Sequence, residues 1–171
     1  ELGATDDDGS CTFPAPMVNL FYSEYAEGSS NNKYFEIYNP SSEAVNLSDY
    51  RYNSCSNNCN DWEYSTAFAE GAIIPAGGTY SVFLNFNGND AQGLVYFPTG
   101  EELDVIGEIG NAEYWSVAGV SSGTRDQTLV RKCGITQGNA DWTVSAGTNS
   151  DDSEWFVFDN ETWDYLGTHS V

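Results

Sequence analysis

The chain has 171 residues, of which 40% are hydrophobic and 15% aromatic, and it carries 26 acidic against 5 basic side chains for a formal net charge of -21. That length favours one domain with a real core. The charge excludes nucleic acid and anionic membrane surfaces as partners, because both need Lys or Arg to displace counterions. No run approaches the roughly 20 apolar residues that cross a bilayer as a helix, so membrane insertion is not expected.

Residues 1–15 (ELGATDDDGSCTFPA) read as an acidic arm without periodicity, and residues 16–171 as one domain. The first residues lack the basic-then-apolar form of a signal peptide, so an export signal is expected to lie upstream or to have been removed. Val18, Leu20 and Tyr22 alternate as in a half-buried strand. Glu27-Gly-Ser-Ser-Asn-Asn supplies turn residues, and Lys33 to Tyr38 alternates again with Phe35 and Ile37 on one face. Short strands are predicted around Val45–Leu47 and Tyr50–Tyr52, followed by an Asn-rich loop from Cys55 to Asp61. Pro75 and Gly77-Gly78 turn the chain into Thr79–Phe86, the clearest strand pattern. Leu94–Phe97, Leu103–Ile106, Thr128–Arg131, Trp142–Val144, Trp155–Phe158 and Trp163–Leu166 complete the predicted strands. No stretch keeps a capped apolar stripe of helical period. Many short strands between turns predict an all-β sandwich or barrel.

Four cysteines, Cys11, Cys55, Cys59 and Cys133, allow three pairings. Their spacing, with His169 as the one histidine, does not suit zinc, and disulfides in an oxidising compartment are the better reading. The tight Cys-Ser-Asn-Asn-Cys loop points to Cys55–Cys59, which leaves Cys11–Cys133 by elimination.

Several stretches resemble the lamin tail domain in its secreted bacterial form. They are Ser23 to Pro40 (SEYAEGSSNNKYFEIYNP), Val45 to Tyr50, the Ile74-Pro-Ala-Gly strand start, and Asp104-Val-Ile-Gly-Glu-Ile-Gly. Trp115-Ser-Val-Ala-Gly, Thr128 to Lys132, Gly138 to Trp142, and Asp152 through Gly167 follow in order. Asp6-Asp-Asp-Gly-Ser-Cys11 is similar to the end of an acidic repeat of bacterial surface proteins. The resemblance implies an immunoglobulin-like β-sandwich with an accessory or scaffold role beside exported enzymes, and no catalytic residues.

The remaining chemistry is sparse. His169 is expected as an exposed tail residue, and Glu101/Glu102 and Asp151/Asp152 as solvated surface acids. No cofactor is implied; Ca2+ is the one ion the acids suit. Asp6 and Asp8, with Gly9, match part of a calcium loop, although Ala4 and Ala15 occupy two ligand slots, and Asp151, Asp152 and Glu154 form a second candidate cluster. Asn46 and Asn160 fit the N-glycosylation pattern. Trp115, Trp142, Trp155 and Trp163 are expected in the core or at its rim, although aromatic and Asn/Asp neighbours also suit glycans.

These readings predict a non-catalytic extracellular interaction or structural module of a bacterial surface or secreted protein, with a protein partner or self-association. A fibre or surface-layer subunit follows where the arm adds to a neighbour's sheet edge. The alternatives are a module targeting an exported hydrolase such as a nuclease, distinguished by a catalytic domain on the same chain, and a glycan-binding domain.

Overall fold

The computed structural model describes residues 16–57 and 59–170. Among the described residues the strands β1 Phe21–Glu27, β2 Lys33–Tyr38 and β3 Val45–Asn46, a 3-10 turn at Leu47–Asp49, then β4 Tyr50–Cys55, β5 Tyr64–Ala67, β6 Ile73–Ile74, β7 Thr79–Phe83, β8 Ala91–Tyr96, β9 Glu101–Ile106, β10 Gln127–Arg131, the short helix α1 Trp142–Ala146 and β11 Trp155–Asp159 follow in order. A five-stranded sheet in the order β11-β10-β1-β2-β7 faces a four-stranded sheet in the order β5-β4-β8-β9, and β3-β6 form a small third ladder. All pairings are antiparallel. The result is an immunoglobulin-like β-sandwich: the strand pattern predicts a sandwich or barrel, and the family resemblance implies the immunoglobulin-like form.

Aromatic side chains join the layers. Tyr22 and Phe35 meet edge to face at 5.0 Å on the first sheet, and Phe35 meets Tyr52 of the second at 5.3 Å. Such rings bring a large apolar area and a preferred edge-on geometry. At the β5–β7 side, Phe68 contacts both Tyr52 and Tyr80 and closes the core there.

Strand β1 departs from simple alternation. Its register against β2 shifts between Tyr22 and Glu24, so Tyr22 and Tyr25, three residues apart, both join the core. A bulge inserts the extra residue that allows this. All seven β1 residues are buried, because the opposite face of the sheet is covered as well. The alternation from Val18 to Tyr22 predicts neither the bulge nor the ladder's start at Phe21.

Two predicted strands are corrected. Trp142–Val144 lies in α1, whose N-cap Asp141 accepts from the Val144 amide at 3.2 Å, and whose chain leaves at Gly147 with φ +63. Capping and a glycine stop decide a segment too short to display its period. Trp163–Leu166 is a series of turns, with the Thr162 amide on Asp159 O, Leu166 on Trp163 O and Thr168 on Tyr165 O. The Thr79–Phe86 prediction also overruns: β7 ends at Phe83, opposite Tyr34, the second residue of β2, and Phe86 turns inward against Tyr25 at 4.9 Å.

Candidate interaction site

The layers are tied by a polar network on an apolar floor. Arg131 of β10 is fully buried and pairs with Asp104 of β9, also fully buried, and with Glu154. Its Nε donates to the Tyr22 carbonyl at 3.1 Å and its Nη1 to Ser145 Oγ at 3.0 Å, and its guanidinium lies 4.0 Å from the Trp155 ring centre. Trp155 Nε1 donates to the same Ser145 hydroxyl at 2.9 Å. Asp104 accepts in addition from the Tyr22 amide at 2.8 Å and the Asn139 amide at 3.0 Å. Burial pushes the Asp104 carboxyl above its ordinary range, against the pull of Arg131 and these two amides. Each charge is thus matched by a partner, which is the condition for holding ions inside a core.

This network positions a groove on the surface. Strand β9 is an edge strand, and the loop after β10 folds back onto it, with the Val105 amide donating to Asn139 O at 3.2 Å. Gly138 makes that approach possible, since a Cβ there would overlap the Leu103 carbonyl oxygen. Between loop and strand lies a cleft of about 530 Å³ whose walls include Asn19, Glu101, Glu102, Leu103 and Glu154. A second cleft of about 410 Å³ adjoins it, sharing Glu102 and Ala140, and is walled by Trp62, Glu108, Asp141 and Trp142.

Trp62 lies over Gly93 of β8, where a Cβ would stand 2.7 Å from the indole, and donates from Nε1 to Glu102 at 2.6 Å. Among the described residues the walls of the two clefts hold five carboxylates and neither Lys nor Arg. Asp141 is engaged as a helix cap, Glu108 accepts from Asn111 at 2.6 Å, and Glu101 and Glu102 stand exposed on the edge strand. This arrangement suits cationic groups and hydrogen-bond donors in the groove between the loop and the β9 edge.

The predicted site residues are distributed as follows. Cys55 and Cys59 form a disulfide with Cα atoms 5.8 Å apart, closing a loop whose tie contributes ~2 kcal/mol by chain entropy. Cys133 is exposed and has no disulfide partner among the described residues; Cys11, like Asp6 and Asp8, lies outside them. Asp151 is exposed, and Asp152 and Glu154 are engaged separately. Asp152 accepts from the Thr148 hydroxyl at 2.6 Å and the Asn149 amide at 2.8 Å, which hold its carboxyl below the usual range, while Glu154 turns to Arg131. No three His, Cys, Asp or Glu side chains gather as a metal-holding group among the described residues. Asn46 and Asn160 are exposed, and the Asn46 side chain accepts from the Ser48 amide at 2.9 Å.

His169 corrects the expected exposed tail. It is half-buried, its Nε2 lies 2.8 Å from the Ile135 carbonyl, and its ring packs against Phe21 and Tyr38. Trp115, Trp142 and Trp155 are buried as expected, and Trp163 lies 5.0 Å from Tyr34. Sequence reasoning missed Trp62; its place beside the stapled loop was visible, but its contact with Gly93 joins residues distant in sequence.

A sandwich with a buried ionic network between its layers, and an acidic groove where the loop after β10 meets the β9 edge, defines an interaction domain of the immunoglobulin-like class. The model of the Lamin Tail Domain family matches residues 14–164, and the chain belongs to that family. Its members are immunoglobulin-like domains, typically non-catalytic and interaction-mediating. No curated protein and no solved structure matches the chain. No helix among the described residues is long and apolar enough to cross a membrane, and the Cys55–Cys59 disulfide suits a non-reducing environment.

Proposed function

We propose that this chain is a non-catalytic extracellular interaction module of a bacterial surface or secreted protein, and that it binds a basic, extended segment of a partner protein along β9. The observation that carries this reading is the groove at the β9 edge, with exposed Glu101 and Glu102 and no basic wall residue among those described. An added strand satisfies edge backbone groups, and its Lys and Arg side chains meet the carboxylates. A second copy of the chain brings the same charge of -21, so this face favours a different, basic partner; self-assembly would run through residues 1–15 instead.

The test is binding of extended Lys/Arg-containing peptides by titration calorimetry. Affinity is expected to fall with added salt and to drop about tenfold or more in a Glu101→Lys, Glu102→Lys double variant. Peptides that bind equally well to this variant, or not at all to the parent, would sink the reading.

Glycan binding is a second reading, favoured by Trp62 with its indole at the wall of a carboxylate-bearing cleft. A glycan array positive for the parent and blank for Trp62→Ala would support it.

The same extracellular reading carries a second disulfide. Cys133 is exposed without a disulfide partner among the described residues, and Cys11 is the cysteine that the Cys55–Cys59 bond leaves over for it. Peptide mapping without reductant is expected to recover Cys11 linked to Cys133; an alkylated Cys133 would refute this.

A further inference from the structure

The C-terminal segment, residues 160–170, crosses the face of the five-stranded sheet that points away from the core. Glu161, at φ +60, begins it by accepting from Ser29 and from Asn32 Nδ2 at the β1–β2 turn. Trp163 then lies on Tyr34, the Gly167 amide donates to Glu36 Oε2 at 2.6 Å, and the His169 ring packs on Phe21 and Tyr38.

Beneath this strap sit two carboxylates in direct cross-strand register, Glu24 of β1 and Glu36 of β2, and both residues are fully buried. Glu36 is well supplied with donors: Ser23 Oγ at 2.8 Å, Ser81 Oγ at 3.4 Å and the strap's own Gly167 amide. Glu24 receives only the Tyr34 hydroxyl, at 2.6 Å on Oε2, and its buried Oε1 has no partner. Two buried carboxylates side by side do not both ionise at low cost, and the one with fewer donors keeps the proton.

We propose that residues 160–170 form a pH-sensitive latch, seated while Glu24 is protonated and released when it ionises beside Glu36.

Among the described residues no cation faces Glu24 to compensate its charge. From β2 it meets Tyr34 and Glu36, from β10 its register partner is the uncharged Val130, and β7 reaches the pair through the Ser81 hydroxyl. The strap's titratable members are Glu161, held at the turn, the exposed Asp164, Tyr165 against Phe158 of β11, and His169 over Phe21.

The sign follows from the two shifts. Burial, opposed by the Tyr34 bond and reinforced by Glu36, raises the Glu24 carboxyl from 4.5 to about 7. A raised carboxyl favours the seated state fully below its ordinary value, and that contribution is lost as pH rises through about 7. Glu36, raised chiefly by burial, acts in the same direction. His169 is lowered from 6.5, chiefly by burial, so its contribution is present above that value and fades as pH falls through the lowered one. The strap is therefore best seated in a mildly acidic window and loosens towards alkaline pH.

Hydrogen exchange of the 160–170 peptide, corrected for the intrinsic pH dependence of amide exchange, tests this on the whole chain. Between about pH 6.5 and about pH 8.5 its protection is expected to fall about fourfold or more, and Glu24→Gln is expected to keep protection constant over that range. Protection that is unchanged in the parent, or that falls equally in Glu24→Gln, would overturn the latch. Should Glu24→Gln not fold, carbon NMR of the parent gives the same decision. The Glu24 carboxyl and the Gly167 amide should titrate with one shared midpoint near 7. A Glu24 midpoint in the ordinary carboxylate range overturns the proposal.

Discussion

Asp104→Ala is expected to lower stability by about 3–5 kcal/mol, because it leaves the Arg131 guanidinium buried with part of its partnership gone. For a chain of this length that corresponds to a melting point lower by roughly 6–20 °C. The loss includes the ion pair itself and the hydrogen bonds that Asp104 accepts from the Tyr22 and Asn139 amides. Glu154 still holds Nη1, so the domain should fold, but the tie between β9 and β10 is gone. The control is a double replacement, Asp104→Leu with Arg131→Met, which removes both charges and should recover much of the loss. Thermal unfolding followed by circular dichroism gives the answer. A single variant that melts within about 1 kcal/mol of the parent would mean that the network contributes little.

Trp155→Ala should be similarly costly, about 3–5 kcal/mol. The indole is completely buried, lies 4.0 Å from the Arg131 guanidinium and donates to Ser145 of α1. Truncation leaves a cavity, removes the ring under a buried cation and leaves the Ser145 hydroxyl one donor short. Trp155→Phe keeps most of the volume and should cost distinctly less. Denaturant titrations of the two variants separate the contributions; equal midpoints for Ala and Phe would show that the hydrogen bond, not packing, is the larger share. Both Asp104 and Trp155 touch Arg131, so their effects are not expected to add.

Strand content was largely legible because alternation reports a half-buried sheet directly. Lys33–Tyr38 and Gln127–Arg131 fall within a residue of their predicted places although both faces of each are covered, because Phe35, Ile37 and Leu129 still take every second position toward the core. Reading failed where the backbone leaves that two-residue repeat. Strand β1 is covered on both faces and bulged, Trp142–Ala146 is capped into one turn of helix, and Trp163–Leu166 follows the sheet surface without joining a ladder. The four-residue β5, with Tyr64 exposed, carries too little apolar patterning to predict.

The candidate site was less legible than the fold. Its carboxylates are ordinary acids among 26, and nothing in their spacing separates Glu102 from Asp151. What distinguishes Glu102 is an indole that reaches it across β8, which only chain folding brings about.

Composition and periodicity by themselves determined an acidic, all-β, locally disulfide-stapled domain, because charge count, alternation and a four-residue cysteine separation are properties of short stretches. The tertiary structure alone decided which acids are buried, which loop folds onto the β9 edge, and that residues 160–170 return to cover Glu24 and Glu36. Those properties arise from contacts between residues far apart along the chain, where local pattern has no purchase and burial sets the chemistry.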